Sequence, residues 1–414
     1  MSKNNLNILW LHLDAFRFDW KRIADKYNLK LKGFEFLENN FFKLNKCYTC
    51  ATGTLHSTAA YLTGTYPFIN GCRSNDVGTI NPEIKLYPEL LKEKKYKCYA
   101  ILTSGPKWNS SYKRIGINKG FDSIRFIQDP TNPQEGQGTA NLLMREIKNI
   151  SNEINTGKNK LIYITVLDMH GWDGRDKDGK MDEYIQGMRN VDIFLRNLLN
   201  RINFEKCIVV AHGDHGWRLE GDDEIYHPCL EPKGMSLYEP LCRVGAYIKA
   251  PMLKKDEIDF NTQTIDLWPT VFGLLGIEFN NIRNGVNVLE MKKGQGVYCE
   301  HVEWNINRKS VSLEYEEIKN GTEIPLLNYA IGINNKLVVM DANKDIPVAL
   351  FQFDPVDYKH NFLSKYSHNA VEIYGTFMDK FHRHFSSIIK WNEEHAIENS
   401  NEYMRENLRK RLGY

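Results

Sequence analysis

The sequence predicts an α/β sandwich built on a mostly parallel sheet. Three observations carry this. Short apolar runs recur along the chain and end in a carboxylate or an imidazole. Stretches with helical periodicity separate them. Hydrophobic content of 42% and charged content of 26% match an ordinary globular chain of 414 residues, long enough for one large domain or two modest ones.

Taken in order, Ile8–Leu13 is an apolar run closed by Asp14, the pattern of a buried strand. Lys97–Thr103, Leu161–Leu167 and Cys207–Ala211 repeat it, and Val244–Ile248 offers a fifth strand. Helical spacing appears at Leu142–Ile154 and Tyr184–Ile202. In open parallel sheets the site lies past the carboxyl ends of the strands. Asp14, Asp168, His170, Asp214 and His215 all fall there, while His212 reads as a packed strand-end residue.

Composition excludes several classes. A net charge of +2 gives no general attraction to nucleic acid or to an acidic membrane. The first apolar run is too short for a membrane span or a signal-peptide core, so a cytoplasmic protein without stable membrane insertion is expected. Eight cysteines do not make a disulfide framework, and Cys47-x-x-Cys50 reads as buried free thiols. Asp173–Gly179 lacks the ligand spacing of a calcium loop and reads as a solvated loop covering the site.

The most informative stretch is Gly53–Phe68, G-T-L-H-S-T-A-A-Y-L-T-G-T-Y-P-F. It resembles the nucleophile signature of the sulfatase branch of the alkaline-phosphatase superfamily, C-x-P-S-R-x-x-x-x-T-G-x-Y-P. Anchored on Thr63-Gly64 and Tyr66-Pro67, the resemblance puts Thr54 at the position of the cysteine that sulfatases oxidise to formylglycine. Threonine cannot follow that route. The proline and arginine of the signature are His56 and Thr58 here, Ser57 is kept, and the second aspartate expected after Asp14 is Ala15. Gly53-Thr54-x-x-Ser57 is instead similar to the G-T-x-x-S of phosphoethanolamine and phosphoglycerol transferases, which pass through a phosphothreonine.

The resemblance extends over about residues 6–365. Thr264–Thr270 with Leu274–Ile277, Asn284–Val286, Asn335–Leu337 and Leu350–Pro355 match later family segments. It implies a catalytic α/β domain over 1–290 and a small antiparallel subdomain over 291–365; the remainder, 366–414, lies beyond the resemblance and reads as a charge-rich helical tail. It further implies one divalent cation (Mg²⁺, Mn²⁺, Ca²⁺ or Zn²⁺) held by Asp14, Thr54, Asp214 and His215. Oxygen donors with one imidazole suit any of these ions.

Lys107 in Gly105-Pro-Lys-Trp108 and Lys233 in Lys233-Gly-x-x-Leu-Tyr-Glu239 resemble lysines that hold oxygens of the transferred group. His170 in Asp168-Met-His170 resembles a histidine beside the leaving-group oxygen, and His227 lies in a stretch where the transferases carry a site histidine. Ser57 and His56 stand as substrate contacts.

The expected function is therefore a metal-dependent phosphate-ester hydrolase or transferase working through Thr54 on a small-molecule or glycan substrate. The rivals are a sulfuric-ester hydrolase with an unmodified hydroxyl nucleophile and an inactive binding protein that kept the fold.

Overall fold

The computed structural model describes residues 6–72, 79–103, 106–127, 139–170, 181–219, 222, 239–278, 283–292 and 297–301, and beyond these the backbone of the strands 328–333, 336–341, 346–353 and 360–364. Its main sheet has nine strands: β1 (Asn7–Leu13), β2 (Phe42–Tyr48), β3 (Lys97–Thr103), β4 (Ser123–Ile127), β5 (Lys160–Val166), β6 (Cys207–His212), β7 (Arg243–Val244), β8 (Ala246–Lys249) and β9 (Glu257–Gln263). The spatial order is β4-β3-β5-β1-β6-β8-β2-β7, with β9 beside β2. The pairs β4/β3, β3/β5, β5/β1, β1/β6 and β2/β9 are parallel, whereas β6/β8, β8/β2 and β2/β7 are antiparallel.

The sheet is covered on both faces, and β1 shows why in its own residues. Alternate side chains point to opposite faces. Ile8 and Trp10 join Tyr163 and Val210 in one core, under the helices Thr54–Thr63, Tyr87–Glu93 and Leu267–Leu275. Leu9, Leu11 and Leu13 join Ile164 and Val209 in the other, under Lys32–Asn40, Ile147–Thr156 and Met181–Leu199. Trp10 stacks on Trp268 with ring centroids 4.0 Å apart and fixes the first layer. By the same alternation His12 lies on the Trp10 face, toward the helix Thr54–Thr63.

Sequence and structure differ where local breaks interrupt a period. The helix expected over Leu142–Ile154 is two, Thr139–Leu143 and Ile147–Thr156, parted by the turn at 144–146. The strand expected over Val244–Ile248 is split into β7 and β8 at Gly245, whose Cα rests on the Phe16 ring. A second sheet, β10 (Val297–His301), β11 (Asn328–Ile333), β12 (Lys336–Asp341), β13 (Ile346–Phe353) and β14 (His360–Ser364), is antiparallel throughout and runs in chain order. Glu300 of β10 donates its N–H to Cys50 O at 3.0 Å, beside the start of the Thr54 helix. No helix among the described residues is long and apolar enough to cross a membrane.

The Thr54 helix is stopped by Gly64, which is left-handed at φ 69° and donates to Ala60 O. Its carbonyl accepts the N–H groups of Asn284 and Gly285, tying the helix end to the later segment. A Cβ there would meet the Tyr87 ring at 2.6–3.0 Å. Gly64→Ala combines a left-handed alanine, about 1–2 kcal/mol, with a core clash. It is expected to lower the free energy of unfolding by about 2 kcal/mol or more in urea denaturation. An unchanged midpoint would show that this cap does not hold the helix.

Candidate active site

The carboxyl ends of β1, β5 and β6 converge on one edge of the sheet, where the chain order reverses around β1. Strands β1 and β6 are parallel and in register, with His12 opposite His212. That register carries Asp14 and Asp214, each two residues further on, to the same point. Past Asp14 the chain turns through Ala15, which is left-handed at φ 59° although it is not glycine. The strain, roughly 1–2 kcal/mol, is offset by two bonds. Ala15 N–H donates to Asp214 Oδ1 at 3.2 Å, and Tyr184 OH donates to Ala15 O at 2.9 Å. Where the resemblance led one to expect a second aspartate, a backbone N–H therefore holds the other carboxylate.

Thr54 opens its helix just after Gly53, which is extended. The Thr54 hydroxyl donates to Asp14 Oδ2 at 3.2 Å and lies 3.2 Å from His215 Nε2. His215 Nε2 is 3.5 Å from Asp214 Oδ2 and 3.8 Å from Asp14 Oδ1. The other ring nitrogen of His215 donates to Gly216 O at 2.6 Å, which fixes the tautomer and aims Nε2 at the hydroxyl. Gly216 is required by a close approach, because a Cβ there would come within 1.7 Å of Pro240 O. Asp14, Thr54, Asp214 and His215 are all buried and all meet in one cluster.

Burial disfavours charge on both aspartates. For Asp14, burial and then the neighbouring Asp214 charge lift the pKa well above the carboxylate range, against the Thr54 hydrogen bond. For Asp214, burial is outweighed by His215 and then His12, and the pKa falls below that range. Asp14 Oδ1 and Asp214 Oδ2 are both buried without a hydrogen-bond donor among the described residues. Carboxylate oxygens left this way suit a hard divalent cation, and the donor set of carboxylates, hydroxyl and imidazole fits one. His12 also belongs here: one ligand atom each from His12, Asp14 and Asp214 lie within 4.8 Å of one another. Reading the sequence missed it, although His12-x-Asp14 puts both residues on one face of a strand.

The remaining expected residues are placed as follows. Ser57 is buried, and its hydroxyl proton goes to Asp214 O at 2.6 Å while Thr49 Oγ1 lies 2.9 Å away. These bonds tie the Thr54 helix to the Asp214 loop. His56 is buried in the first turn beside Thr54. His170 packs on Trp217, with centroids 4.1 Å apart, and lies 6.3 Å from the His215 ring. Burial, and then His215, bring its pKa down to about 3, so the ring is neutral near pH 7.

Asp168 points away from the cluster. It accepts Thr139 Oγ1 and Ala140 N, both at 2.7 Å, and Asn190 Nδ2 at 3.1 Å. Lys107 lies in the helix Pro106–Arg114, described there as backbone. His227, Lys233 and the loop 173–179 lie outside the described residues.

A second element that sequence reading missed is a buried ionic cluster behind the site. Arg17 is fully buried and pairs with both oxygens of Asp19 at 2.8 Å and with Asp222 at 2.6 and 3.0 Å. It also donates to Trp217 O at 2.9 Å. Trp217 is the residue against which His170 packs, so this guanidinium supports the far wall of the site.

Comparison with known proteins agrees with this architecture. The sulfatase family profile matches residues 7–277. Lipoteichoic acid synthase 2 of Bacillus subtilis (strain 168) is 22% identical over 280 residues, which is 63% of this chain and 43% of that protein. The chain spans less than half the length of the curated relatives it matches. Among solved structures, the lipoteichoic acid synthase LtaP from Listeria monocytogenes superposes with a TM-score of 0.63 at 13% identity, over 94% of this chain and 92% of that one. An alkaline phosphatase superfamily protein from Vibrio parahaemolyticus gives 0.61 at 14% identity, over 90% and 85%. At such identities the likeness is one of fold.

The tie through Ser57 can be tested directly. Ser57→Ala leaves the buried Asp214 carbonyl without its donor and is expected to lower stability by about 1–3 kcal/mol in chemical denaturation. Stability equal to wild type would show that this bond does not hold the Asp214 loop.

Proposed function

The chain belongs to the sulfatase family of the alkaline phosphatase superfamily, and from that premise we propose that it is a metal-dependent enzyme cleaving or transferring a phosphate ester, with Thr54 as the nucleophile. The observation that supports this is the Thr54 hydroxyl, buried and 3.2 Å from both Asp14 and His215 at the start of a helix. The preferred substrates are phosphodiesters or substituted phosphates, because position 54 holds a hydroxyl residue that cannot become formylglycine.

Asp14, Thr54, Asp214 and His215 would hold the divalent cation, which supplies positive charge that lowers the pKa of the hydroxyl and offsets charge on the transferring group. The chain's own residues do the rest. Thr54 Oγ attacks phosphorus in line as the bond to the leaving alcohol breaks. That alcohol departs with a proton delivered at its oxygen from His227, while the neutral His170 ring can offer that oxygen a hydrogen bond. The positive end of the Thr54 helix favours the anionic group beside it. Lys107 and Lys233 would hold its non-bridging oxygens. Water or a second alcohol, such as a glycan hydroxyl, then attacks phosphorus and the Thr54 O–P bond breaks.

Intact-mass analysis of the full chain, incubated with divalent cation and a panel of phosphodiesters, phosphate monoesters and aryl sulfates, tests this reading. An adduct on Thr54 is expected from a phosphate ester. Thr54→Ala should give neither adduct nor turnover, while Thr54→Ser should keep part of both, since it retains the hydroxyl. Hydrolysis of aryl sulfates much faster than every phosphate ester would overturn the assignment.

Charge stabilisation makes a separate prediction. Lys107→Ala and Lys233→Ala should each lower turnover by roughly 100- to 1,000-fold, the usual effect of removing one preorganised donor, without shifting the melting curve. Near-wild-type rates in both would remove the lysines from the site.

A further inference from the structure

Two strands of this sheet carry the same tripeptide pattern, His-x-Asp, in register: His12-x-Asp14 on β1 and His212-x-Asp214 on β6. The two histidines are fully buried with rings stacked 6.0 Å apart, yet their surroundings differ. His212 has both nitrogens in hydrogen bonds. Its Nε2 accepts from Trp10 Nε1 at 2.8 Å, and its Nδ1 donates to Gly213 O at 2.7 Å. It is a packed core residue.

His12 is different. Its Nε2 faces the two carboxylates, 3.2 Å from Asp214 Oδ2, and the pair is not aligned as a hydrogen bond. Two atoms that flank one cation at about 2.1 Å each stand roughly 3.0–3.4 Å apart without pointing at each other. The opposite ring nitrogen, Nδ1, lies 2.9 Å from Tyr163 OH and 2.9 Å from Tyr61 OH. The two phenols are hydrogen-bonded to each other, and Tyr61 OH reaches Thr58 Oγ1 at 3.4 Å. One arrangement uses every contact: the His12 Nδ1–H is shared between the Tyr163 and Tyr61 oxygens, Tyr163 O–H goes to Tyr61, and Tyr61 O–H goes to Thr58. In that arrangement Nε2 carries a lone pair, and it points at Asp14 and Asp214.

We propose that His12 is a further ligand of the divalent cation, with Tyr163 and Tyr61 as the outer shell that fixes its tautomer; this rests on the metal-dependent reading above. The consequence is selectivity. With His12 and His215 together the site presents two imidazoles beside two carboxylates, and a second nitrogen donor shifts preference from Mg²⁺ toward Zn²⁺. Outer-shell donors to a ligating histidine matter nearly as much as the ligand, because they set which nitrogen is free.

The test uses the full-length chain stripped of metal. In the Mn²⁺-loaded wild type, pulsed electron paramagnetic resonance should show two coordinated imidazole nitrogens; one imidazole would overturn the proposal without any variant. By calorimetric titration, His12→Asn should weaken Zn²⁺ by more than the roughly 10–100-fold typical of an outer-shell change and Mg²⁺ by far less, so that the Zn²⁺/Mg²⁺ ratio falls. Tyr163→Phe should give an intermediate loss of roughly tenfold. A Zn²⁺/Mg²⁺ ratio unchanged in His12→Asn also overturns it. If Asp14→Asn and Asp214→Asn bind cation as wild type does, the metal reading itself fails, and this inference with it.

Discussion

Two buried carboxylates side by side are the constraint on which the rest of this structure depends. Asp14 and Asp214 are almost fully excluded from water, with ligand atoms within 4.8 Å. Two full charges at that separation repel by on the order of 3–4 kcal/mol at an effective dielectric of about 20. Burial adds a further penalty for each charge. Such a pair is kept either by something positive between or beside its members or by a proton on one of them. The structure supplies the Ala15 N–H, sets the rings of His215 and His12 beside the pair, and still leaves one oxygen on each carboxylate without a donor among the described residues. The Thr54 hydroxyl is placed against this pair and shares whatever positive charge the carboxylates attract.

The scaffold makes the pairing unavoidable. Parallel register between β1 and β6 brings the aspartates together, and a slip of one residue would turn either side chain to the opposite face. Strain at Ala15 and the Ser57 bond to Asp214 O lock the two turns and the Thr54 helix into one unit. The Arg17 cluster holds the loop beyond it. An arginine stripped of water with two carboxylates is a poor source of net stability, and removing one partner would be costly because charge would be left unpaired. Its value here is geometric: it fixes Trp217, and through Trp217 the position of His170.

Much of the fold was legible because buried parallel strands are short, apolar and punctuated. The β3 bounds agree with the apolar run residue for residue, and β1, β5 and β6 shift by a single residue at one or both ends. Strands β2, β4 and β9 were not legible. Phe42–Tyr48 interleaves lysines and an asparagine with its apolar residues, and Glu257–Gln263 is mostly polar, as strands toward a sheet margin can be. At the site, Asp14, Thr54, Asp214 and His215 were legible through motif spacing, and the structure brings these four together. His12 and Arg17 were not, since a polar residue inside or just after an apolar run gives no sign of its partners. The Ser57 bond to Asp214 O was not legible either, because a motif preserves a residue type without saying which atom it serves.

The departures from the sulfatase pattern form a consistent set when placed in the fold. Thr58 stands where the pattern has arginine, and it is fully buried, in contact with Tyr61. A guanidinium at that position would have to be desolvated beside two phenols that already bond to His12. The space beneath the Thr54 helix is thus given to a hydrogen-bonded chain that ends at the carboxylate pair, not to a guanidinium. Loss of the arginine and the presence of His12 with its tyrosines are two sides of one packing choice. In the proposed reaction, positive charge for the oxygens of the transferred group would enter from outside that layer, the role proposed for Lys107 and Lys233. A threonine nucleophile fits the same choice: it needs a hydroxyl held firmly against a charged pair and nothing that must first be oxidised.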